Sequence, residues 1–191
     1  MERLYIIAGP NGAGKTTASY TILPEIFHCK EFINADEIAR GISPFNSESV
    51  SIQAGKIMLK RFSELLERGE TFAIETTLSL KSYVKFIKRA KEREYEITLL
   101  FLWLNSPELA MTRVKTRVKE GGHNIPAEVI ERRYYTGLKN LFHLYIPIVN
   151  NWLLVDNSGE EFQVIAEGSE NETIIKNKDI WSKLIQKYNG K

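Results

Sequence analysis

Short apolar runs alternate along this chain with longer segments in which apolar residues recur at helical spacing. The apolar runs predict strands at 3–8, 32–34, 71–74, 97–104 and 152–155. The helical spacing predicts helices at 15–23, 48–68, 80–94, 107–119 and 127–143. Because strands that alternate with helices form a parallel sheet covered on both faces, the pattern predicts a three-layer α/β fold with a mostly parallel sheet.

Two details refine this prediction. Pro24 is expected to end the first helix at Leu23, and Gly69 is expected to end the helix over 48–68. The run 97–104 is the most apolar of the strands. Strands buried on both faces have this composition, so 97–104 is predicted to lie at the centre of the sheet.

The last part of the chain, about 160–191, has a different pattern. Two short strands are predicted at 162–166 and 172–176, on either side of a Gly-Ser-Glu-Asn turn, and a helix follows at 178–188. We therefore expect a small C-terminal hairpin plus helix appended to the sheet. No linker or internal repeat divides the sequence, so 1–191 is predicted to be a single domain.

The composition excludes several classes of protein. The 26 Lys and Arg residues nearly balance the 24 Asp and Glu residues, and this near-neutrality gives no support for nucleic-acid or membrane-surface binding. The apolar run 97–104 is too short to span a bilayer. Since the N-terminus runs directly into a charged pair and a core strand, no signal peptide is expected, and the protein is predicted to be cytoplasmic. The single cysteine, Cys29, excludes an internal disulfide.

Residues 9–17 form a complete phosphate-binding loop (P-loop) of the form G-x-x-x-x-G-K-[ST], between a predicted strand and a predicted helix. This context predicts a nucleoside triphosphate, ATP or GTP, held by backbone N–H groups and the helix N-terminus. Lys15 is expected to reach the β- and γ-phosphates, and Thr16 to ligate Mg²⁺. The residues predicted to contact the nucleotide here are Gly9, Pro10, Asn11, Gly12, Ala13, Gly14, Lys15, Thr16 and Thr17.

Polar residues follow several predicted strands at the edge of the sheet where α/β proteins bind ligands. Asp36 is the candidate catalytic base, because a carboxylate one strand away from the P-loop can accept the proton of an acceptor hydroxyl. The alternative is that Asp36 caps the helix 37–40. Glu75 could ligate Mg²⁺, position a water or bind the substrate. Thr76 and Thr77 could bind the acceptor or be structural.

Two predicted helices around Gly121-Gly122 carry arginines, namely Arg113, Arg117, Arg132 and Arg133. Guanidinium groups neutralise charge on a transferred phosphoryl group, so the segment 113–133 is predicted to be a closing lid. Arg117 and Arg132 are predicted to be catalytic, Arg113 to contact the nucleotide and His123 to contact the substrate. Because Arg132 and Arg133 differ by about 100° around a helix, these arginines are not all expected to face one pocket. The alternative is a solvated basic surface.

These motifs together resemble the zeta-toxin family of P-loop kinases, and more closely its chromosomal branch, whose members are often called predicted ABC-type ATPases. The resemblance covers residues 1 to about 158 in consistent order. The segments that carry it are 8–17, Ile33-Asn34-Ala35-Asp36, 72–79, 117–126 and Arg132-Arg133-Tyr134.

The resemblance implies an ATP- or GTP-dependent kinase with a parallel sheet and a lid. It implies that Asp36 is the base, that Glu75 is the second acid, and that Arg117 and Arg132 clamp the phosphates. The acceptor in zeta toxins is the 3′-hydroxyl of UDP-N-acetylglucosamine. Where zeta toxins carry a substrate-binding arginine shortly after the Glu-x-Thr segment, this chain has Leu78-Ser79-Leu80-Lys81. By analogy with such kinases, Asp156 and Asn157 would lie near the purine base.

The leading hypothesis is therefore a small-molecule kinase that transfers the γ-phosphate to an alcohol, with a UDP-N-acetyl sugar as one acceptor. A kinase for another sugar or a nucleoside is the first alternative. The second is a regulatory ATP-binding switch that acts through a protein partner, such as an antitoxin-like protein.

Overall fold

The computed structural model describes residues 1–122 and 124–189 of the chain. The strands are β1 Arg3–Ala8, β2 Glu31–Ile33, β3 Phe72–Thr76, β4 Glu96–Trp103, β5 Asn151–Asp156, β6 Gln163–Ser169 and β7 Thr173–Ile175. The helices are α1 Lys15–Glu25, α2 Ala35–Ile42, α3 Ser51–Arg68, α4 Tyr83–Glu92, α5 Pro107–Lys119, α6 Ala127–Asn140 and α7 Lys178–Tyr188. A 3-10 turn spans Ser47–Val50, and a π-helical turn, Leu141–Tyr145, directly follows α6.

The strands form a seven-stranded sheet in the order β2-β3-β1-β4-β5-β6-β7. Strands β1 to β5 are parallel, β6 is antiparallel to β5, and β7 is antiparallel to β6. The predicted mostly parallel sheet and C-terminal hairpin are thus confirmed. The prediction that the most apolar strand is central is confirmed as well, since β4 pairs with β1 and β5 in the middle of the sheet.

Helix α1 continues past the predicted stop. Pro24 lies inside its last turn, so the prediction that the helix ends at Leu23 was wrong. A proline so close to the end removes only one backbone bond. The N–H of Ile26 still donates to the carbonyl oxygen of Ile22 at 3.0 Å and closes the turn.

The segment between β3 and α4 is a loop rather than the start of a helix. Helix α4 was predicted from residue 80 but begins at Tyr83. Leu78 has a positive φ of 56°, which is incompatible with a right-handed helix, and it is fully buried. This loop lies at the edge of the sheet where the parallel strands end.

Aromatic contacts fasten the outer elements to the sheet. Phe62 on α3 packs edge-on against Phe72 on β3, with ring centroids 4.9 Å apart. Trp181 on α7 stacks on Trp152 of β5 at 5.7 Å, which places the C-terminal helix against the antiparallel part of the sheet. Over the described ranges, every helix is too short or too polar to cross a membrane.

Candidate active site

The P-loop connects β1 to α1, as predicted, and its shape depends on a close backbone approach. Gly9 has φ +142°, and a Cβ there would lie 2.2 Å from the carbonyl oxygen of Leu102 on β4. Any other residue would therefore push the loop away from the sheet. Gly14 is the N-cap of α1, so the first N–H groups of this helix are presented at the end of the loop, where an anion can bind them.

Lys15 is folded back over this loop. Its Nζ donates to the carbonyl oxygen of Pro10 at 3.0 Å and lies 3.8 Å from Oε1 of Glu75. Burial lowers the pKa of Lys15, and the negative charges of Glu75 and Asp36 oppose that shift. Phosphate oxygens would offer this buried ammonium group stronger partners than a neutral carbonyl oxygen does.

Glu75 is the centre of a buried hydrogen-bond network beside the P-loop. Its Oε2 accepts from the Thr16 hydroxyl at 2.9 Å and from Nδ2 of Asn34 at 2.8 Å. The side chain is only 8% exposed. Burial raises the pKa of Glu75, although Lys15 and the Thr16 hydroxyl favour the ionised form. The two residues predicted as metal ligands, Thr16 and Glu75, thus lie in direct contact.

These two groups fit a magnesium ion that is held mainly by a nucleotide. Within 1–122 and 124–189, no group of three or more His, Cys, Asp or Glu side chains is placed to hold a metal by itself. Nucleotide-linked Mg²⁺ does not need such a group, because phosphate oxygens and waters supply most of its ligands. The Thr16 hydroxyl and the Glu75 carboxylate would supply the protein's share.

Asp36 lies in the first turn of α2, and β3 lies between its strand β2 and the P-loop strand β1. The prediction that Asp36 is one strand away from the P-loop was therefore wrong. The capping alternative was wrong too, since the cap of α2 is Asn34, whose Oδ1 accepts from the backbone N–H groups of Asp36 and Glu37 at 2.8 and 3.3 Å. The Asp36 side chain is exposed and lines the same cavity as Lys15.

The loop after β3 is held in place by α6 and the π-helical turn. Asn140 Nδ2 donates to the carbonyl oxygen of Leu78 at 2.8 Å, and the Tyr145 hydroxyl donates to that of Leu80 at 2.6 Å. A Cβ on Gly137 would lie 2.4 Å from the carbonyl oxygen of Thr77, so α6 and the loop touch through their backbones. These contacts keep buried Leu78 in its left-handed conformation, which costs about 1–2 kcal/mol.

The two threonines predicted to bind substrate differ in their surroundings. The buried Thr76 hydroxyl accepts from the backbone N–H of Leu78 at 3.1 Å, which is the structural role considered above. The Thr77 hydroxyl is half-buried and lies 2.9 Å from the Ser79 hydroxyl. Both threonines line the cavity, so their proposed contact with an acceptor remains a prediction.

A cavity of about 570 Å³ opens in front of these groups, within the usual size range of small-molecule sites. It brings together residues from the P-loop and α1, α2, the 3-10 turn, α3, β3 and the loop after it, α4, the segment 124–126 and α6. The charged residues that line it are Lys15, Asp36, Glu48, Glu75, Arg132 and Arg133. The cations predicted to contact the phosphates and the candidate base therefore line one cavity.

Arg132 and Arg133 both line this cavity, although they differ by about 100° around α6, whereas Arg113 and Arg117 are not among the described residues that line it. Together with Val129 and Thr136, Arg132 and Arg133 form a broad strip of α6, and two long side chains can reach the cavity from either side of it. The charge of Arg133 contributes to the lowered pKa of Lys15, after burial, and so does that of Arg117. His123 lies outside the described residues.

The loop after β5 contacts the P-loop from the β4 side of β1, opposite to β3. Asn157 Nδ2 donates to the carbonyl oxygen of Ala13 at 2.8 Å. The carboxylate of Asp156 accepts from the backbone N–H of Ser158 at 2.8 Å and from its hydroxyl, so it shapes the loop. Arg113 donates to the carbonyl oxygens of Asn157 at 2.7 Å and Ser158 at 3.2 Å. The guanidinium of Arg113 thus binds the backbone of this loop.

The cavity contains residues that the sequence did not assign. The position of Asn34 could have been inferred from the sequence, because an asparagine between a strand and a helix is a typical N-cap. Arg133 was considered but not assigned. Ser47, Ser51 and Tyr83 had no local signal, since they come from separate segments that only the fold brings together.

Two comparisons at the level of sequence show the relatives of this chain. The model of the Zeta toxin family matches residues 2–160. An uncharacterized protein of Haemophilus influenzae is 32% identical over 126 residues, which make up 66% of this chain and 88% of that protein.

Solved structures share the fold. A crystal structure of AvrRxo1-ORF1:-ORF2 with ATP matches with a TM-score of 0.74 and 19% identity, over 96% of this chain and 63% of that one. A structure from the PezAT chromosomal toxin-antitoxin system of Streptococcus pneumoniae matches with a TM-score of 0.69 and 20% identity, over 100% of this chain and 80% of that one. At this level of identity the likeness shows the fold alone, a P-loop NTPase fold as predicted.

Proposed function

The chain belongs to the zeta toxin family, and we propose that it is a kinase that transfers the γ-phosphate of ATP or GTP to an alcohol. One observation carries the proposal: Lys15 and Asp36 line the same cavity, with the Glu75–Thr16 pair beside Lys15. A cation for the phosphates and a carboxylate for the acceptor are both needed to move a phosphoryl group to a hydroxyl.

The P-loop and the N-terminus of α1 hold the triphosphate, and Lys15 neutralises its terminal phosphates. Thr16, with Glu75 beside it, would hold Mg²⁺, which when bound would supply further positive charge at those phosphates. The acceptor hydroxyl lies between Asp36 and the γ-phosphorus. A new O–P bond forms as the bond from the γ-phosphorus to the β–γ bridging oxygen breaks, the nucleoside diphosphate leaves, and Asp36 takes the hydroxyl proton.

The segment 113–133 acts as the lid in this mechanism. Arg132 and Arg133 line the cavity, and the charges of Arg117 and Arg133 act on Lys15. Closing these guanidinium groups on the triphosphate would neutralise developing charge and exclude water, which otherwise competes with the acceptor. Asn157, in contact with the P-loop through Ala13, is the proposed neighbour of the purine base, and Arg113 holds its loop.

UDP-N-acetylglucosamine is the acceptor that the family resemblance implies, and it is the first alcohol to assay. A regulatory ATP-binding switch is the second candidate function. The PezAT structure comes from a toxin-antitoxin system, which supports an antitoxin-like protein as a partner for this chain.

The test measures nucleotide affinity and phosphoryl transfer separately. Asp36→Asn should lower transfer from γ-labelled ATP by at least about 100-fold and leave the Kd of Mg-ATP unchanged, because it removes the base but no phosphate contact. Lys15→Ala should weaken nucleotide binding as well. Transfer at the normal rate by Asp36→Asn would contradict the assignment of the base. ATP turnover that no sugar, UDP-sugar or nucleoside changes would favour the switch.

A further inference from the structure

A buried asparagine connects the helix of the candidate base to the carboxylate beside the P-loop. Asn34 is 6% exposed and directly follows β2. The Oδ1 atom of its amide accepts from the backbone N–H groups of Asp36 and Glu37, at 2.8 and 3.3 Å. The Nδ2 atom of the same amide donates to Oε2 of Glu75 at 2.8 Å. One side chain therefore holds the first turn of α2 and Glu75 at the same time.

We propose that Asn34 is a positioning residue that fixes the Asp36 carboxylate relative to Glu75 and the P-loop. This inference rests on the proposed function, because it describes how that same site is held together. In this role Asn34 acts through the residues that it binds, and not on the reacting atoms.

The candidate base needs such a link because its helix has little other support. Strand β2 has three residues, lies at the edge of the sheet and pairs with β3. Of the eight residues of α2, all of which are described, only Ala39 is buried, and segments that bury little surface open easily. The register that pairs Ile33 with Ile74 brings Asn34 beside Glu75. The amide therefore ties the start of α2 to β3, the strand next to the P-loop strand β1.

Capping a helix does not by itself require asparagine at this position. Serine and aspartate cap a helix N-terminus about as well as asparagine does. An ionised aspartate has no donor for a second carboxylate, and the serine hydroxyl is shorter and has a single proton. An amide can accept from the helix at one end and donate to Glu75 at the other. The contact with Glu75 is what distinguishes Asn34 from an asparagine that only caps.

Asn177 offers the comparison, because it caps a helix remote from the cavity. It is the N-cap of α7, and its Oδ1 accepts from the backbone N–H of Ile180 at 3.1 Å. The described residues that line the cavity do not include Asn177 or any residue of α7. The same substitution at the two caps therefore separates the effect of capping from the effect of positioning.

The experiment measures nucleotide binding and phosphoryl transfer in the same variants. Label transfer from γ-labelled ATP is followed with UDP-N-acetylglucosamine and, in parallel, with a small-molecule extract of the expression host. Asn34→Ser should lower the transfer rate at saturating Mg-ATP by about 10- to 100-fold, because Asp36 is no longer fixed to Glu75. The Kd of Mg-ATP should stay unchanged, since Thr16 and Lys15 still hold Glu75.

Two further substitutions make the result specific. Asn34→Asp keeps the shape of the side chain but sets a carboxylate against Glu75, so it should lower the transfer rate at least as much. Asn177→Ser and Asn177→Asp are the matched controls and should transfer label at the wild-type rate. Wild-type affinity for Mg-ATP in Asn34→Ser would also show that this variant is folded.

Because Asn34 acts through Asp36 in this proposal, the two substitutions should not add. The transfer rate of Asn34→Ser combined with Asp36→Asn should equal that of Asp36→Asn alone. A further loss in the double variant, or a normal transfer rate in Asn34→Ser, would overturn this inference and leave the kinase function standing. If wild-type protein that binds Mg-ATP transfers label to neither acceptor source, the kinase function is wrong and the inference is wrong with it.

Discussion

The donor side and the acceptor side of this site are built in different ways. The donor side is the P-loop, nine consecutive residues whose backbone and one lysine are expected to hold the phosphates. The acceptor side is the part of the cavity made by five separate elements, namely α2, the 3-10 turn, α3, the loop after β3 and the start of α4, and side chains define it. Backbone recognition is general, since every nucleoside triphosphate presents the same phosphates. Side-chain recognition is what can distinguish one alcohol from another.

The largest expected difference between the two sides is their tolerance of a methyl group. Gly9→Ala places a Cβ 2.2 Å from the carbonyl oxygen of Leu102, at φ +142°. We expect the nucleotide Kd to rise by about 10- to 100-fold, or the protein to fail to fold, because the loop must move. Titration with Mg-ATP and denaturant unfolding measure the two effects.

Gly55→Ala is the matched control on the acceptor side. Gly55 lies inside α3 and lines the cavity, and a Cβ there would meet nothing within 4 Å. Alanine in a helix interior should raise the free energy of unfolding by about 0.5–1 kcal/mol and leave the nucleotide Kd unchanged. Equal effects of the two substitutions on nucleotide binding would contradict the contrast between the two sides.

The contrast explains which parts could be predicted from the sequence. The P-loop is contiguous in the sequence, so its motif could be recognised and its position between a strand and a helix was predicted correctly. The acceptor side depends on which strands are neighbours, and periodicity does not show that β3 lies between β2 and β1. For the same reason Asp36 was placed one strand too near, and Tyr83 was missed. Family resemblance assigned Asp36 a role that local pattern alone left open.

A second prediction concerns the support of the acceptor side. Asn140 is buried, and its amide donates to the carbonyl oxygen of Leu78 at 2.8 Å. Asn140→Leu leaves that carbonyl without its donor, so the free energy of unfolding should fall by about 1–3 kcal/mol. Amide hydrogen exchange over 77–80 should speed up, because these contacts hold Leu78 at positive φ. The nucleotide Kd should change little.

Lys139→Leu is the control for this variant, because it puts the same side chain at the exposed neighbouring position of α6. It should affect neither exchange over 77–80 nor nucleotide binding. If Asn140→Leu lowers stability while exchange over 77–80 stays normal, Asn140 supports the core but does not position the loop.

The smallest expected effect lies where the two sides meet, at Glu75. Burial raises the pKa of this carboxyl. In the nucleotide-free protein, the folded state therefore binds more protons than the unfolded state between the ordinary glutamate pKa and the raised value. The contribution of Glu75 to the free energy of unfolding is present below this window and is lost as the pH rises through the raised pKa.

Glu75→Gln should remove this dependence. The variant should be more stable than the wild type at neutral pH, and the difference should shrink as the pH falls through the window, as urea unfolding at a series of pH values can measure. The affinity for Mg-ATP should move in the opposite direction, since the metal needs the ionised carboxylate that burial disfavours. As the pH falls, the affinity for Mg-ATP should decrease markedly in the wild type and only weakly in Glu75→Gln. If the free energy of unfolding depends on pH in the same way in the two proteins, Glu75 is ionised as easily in the folded state as in the unfolded chain. The burial of Glu75 beside the P-loop would then have no electrostatic cost.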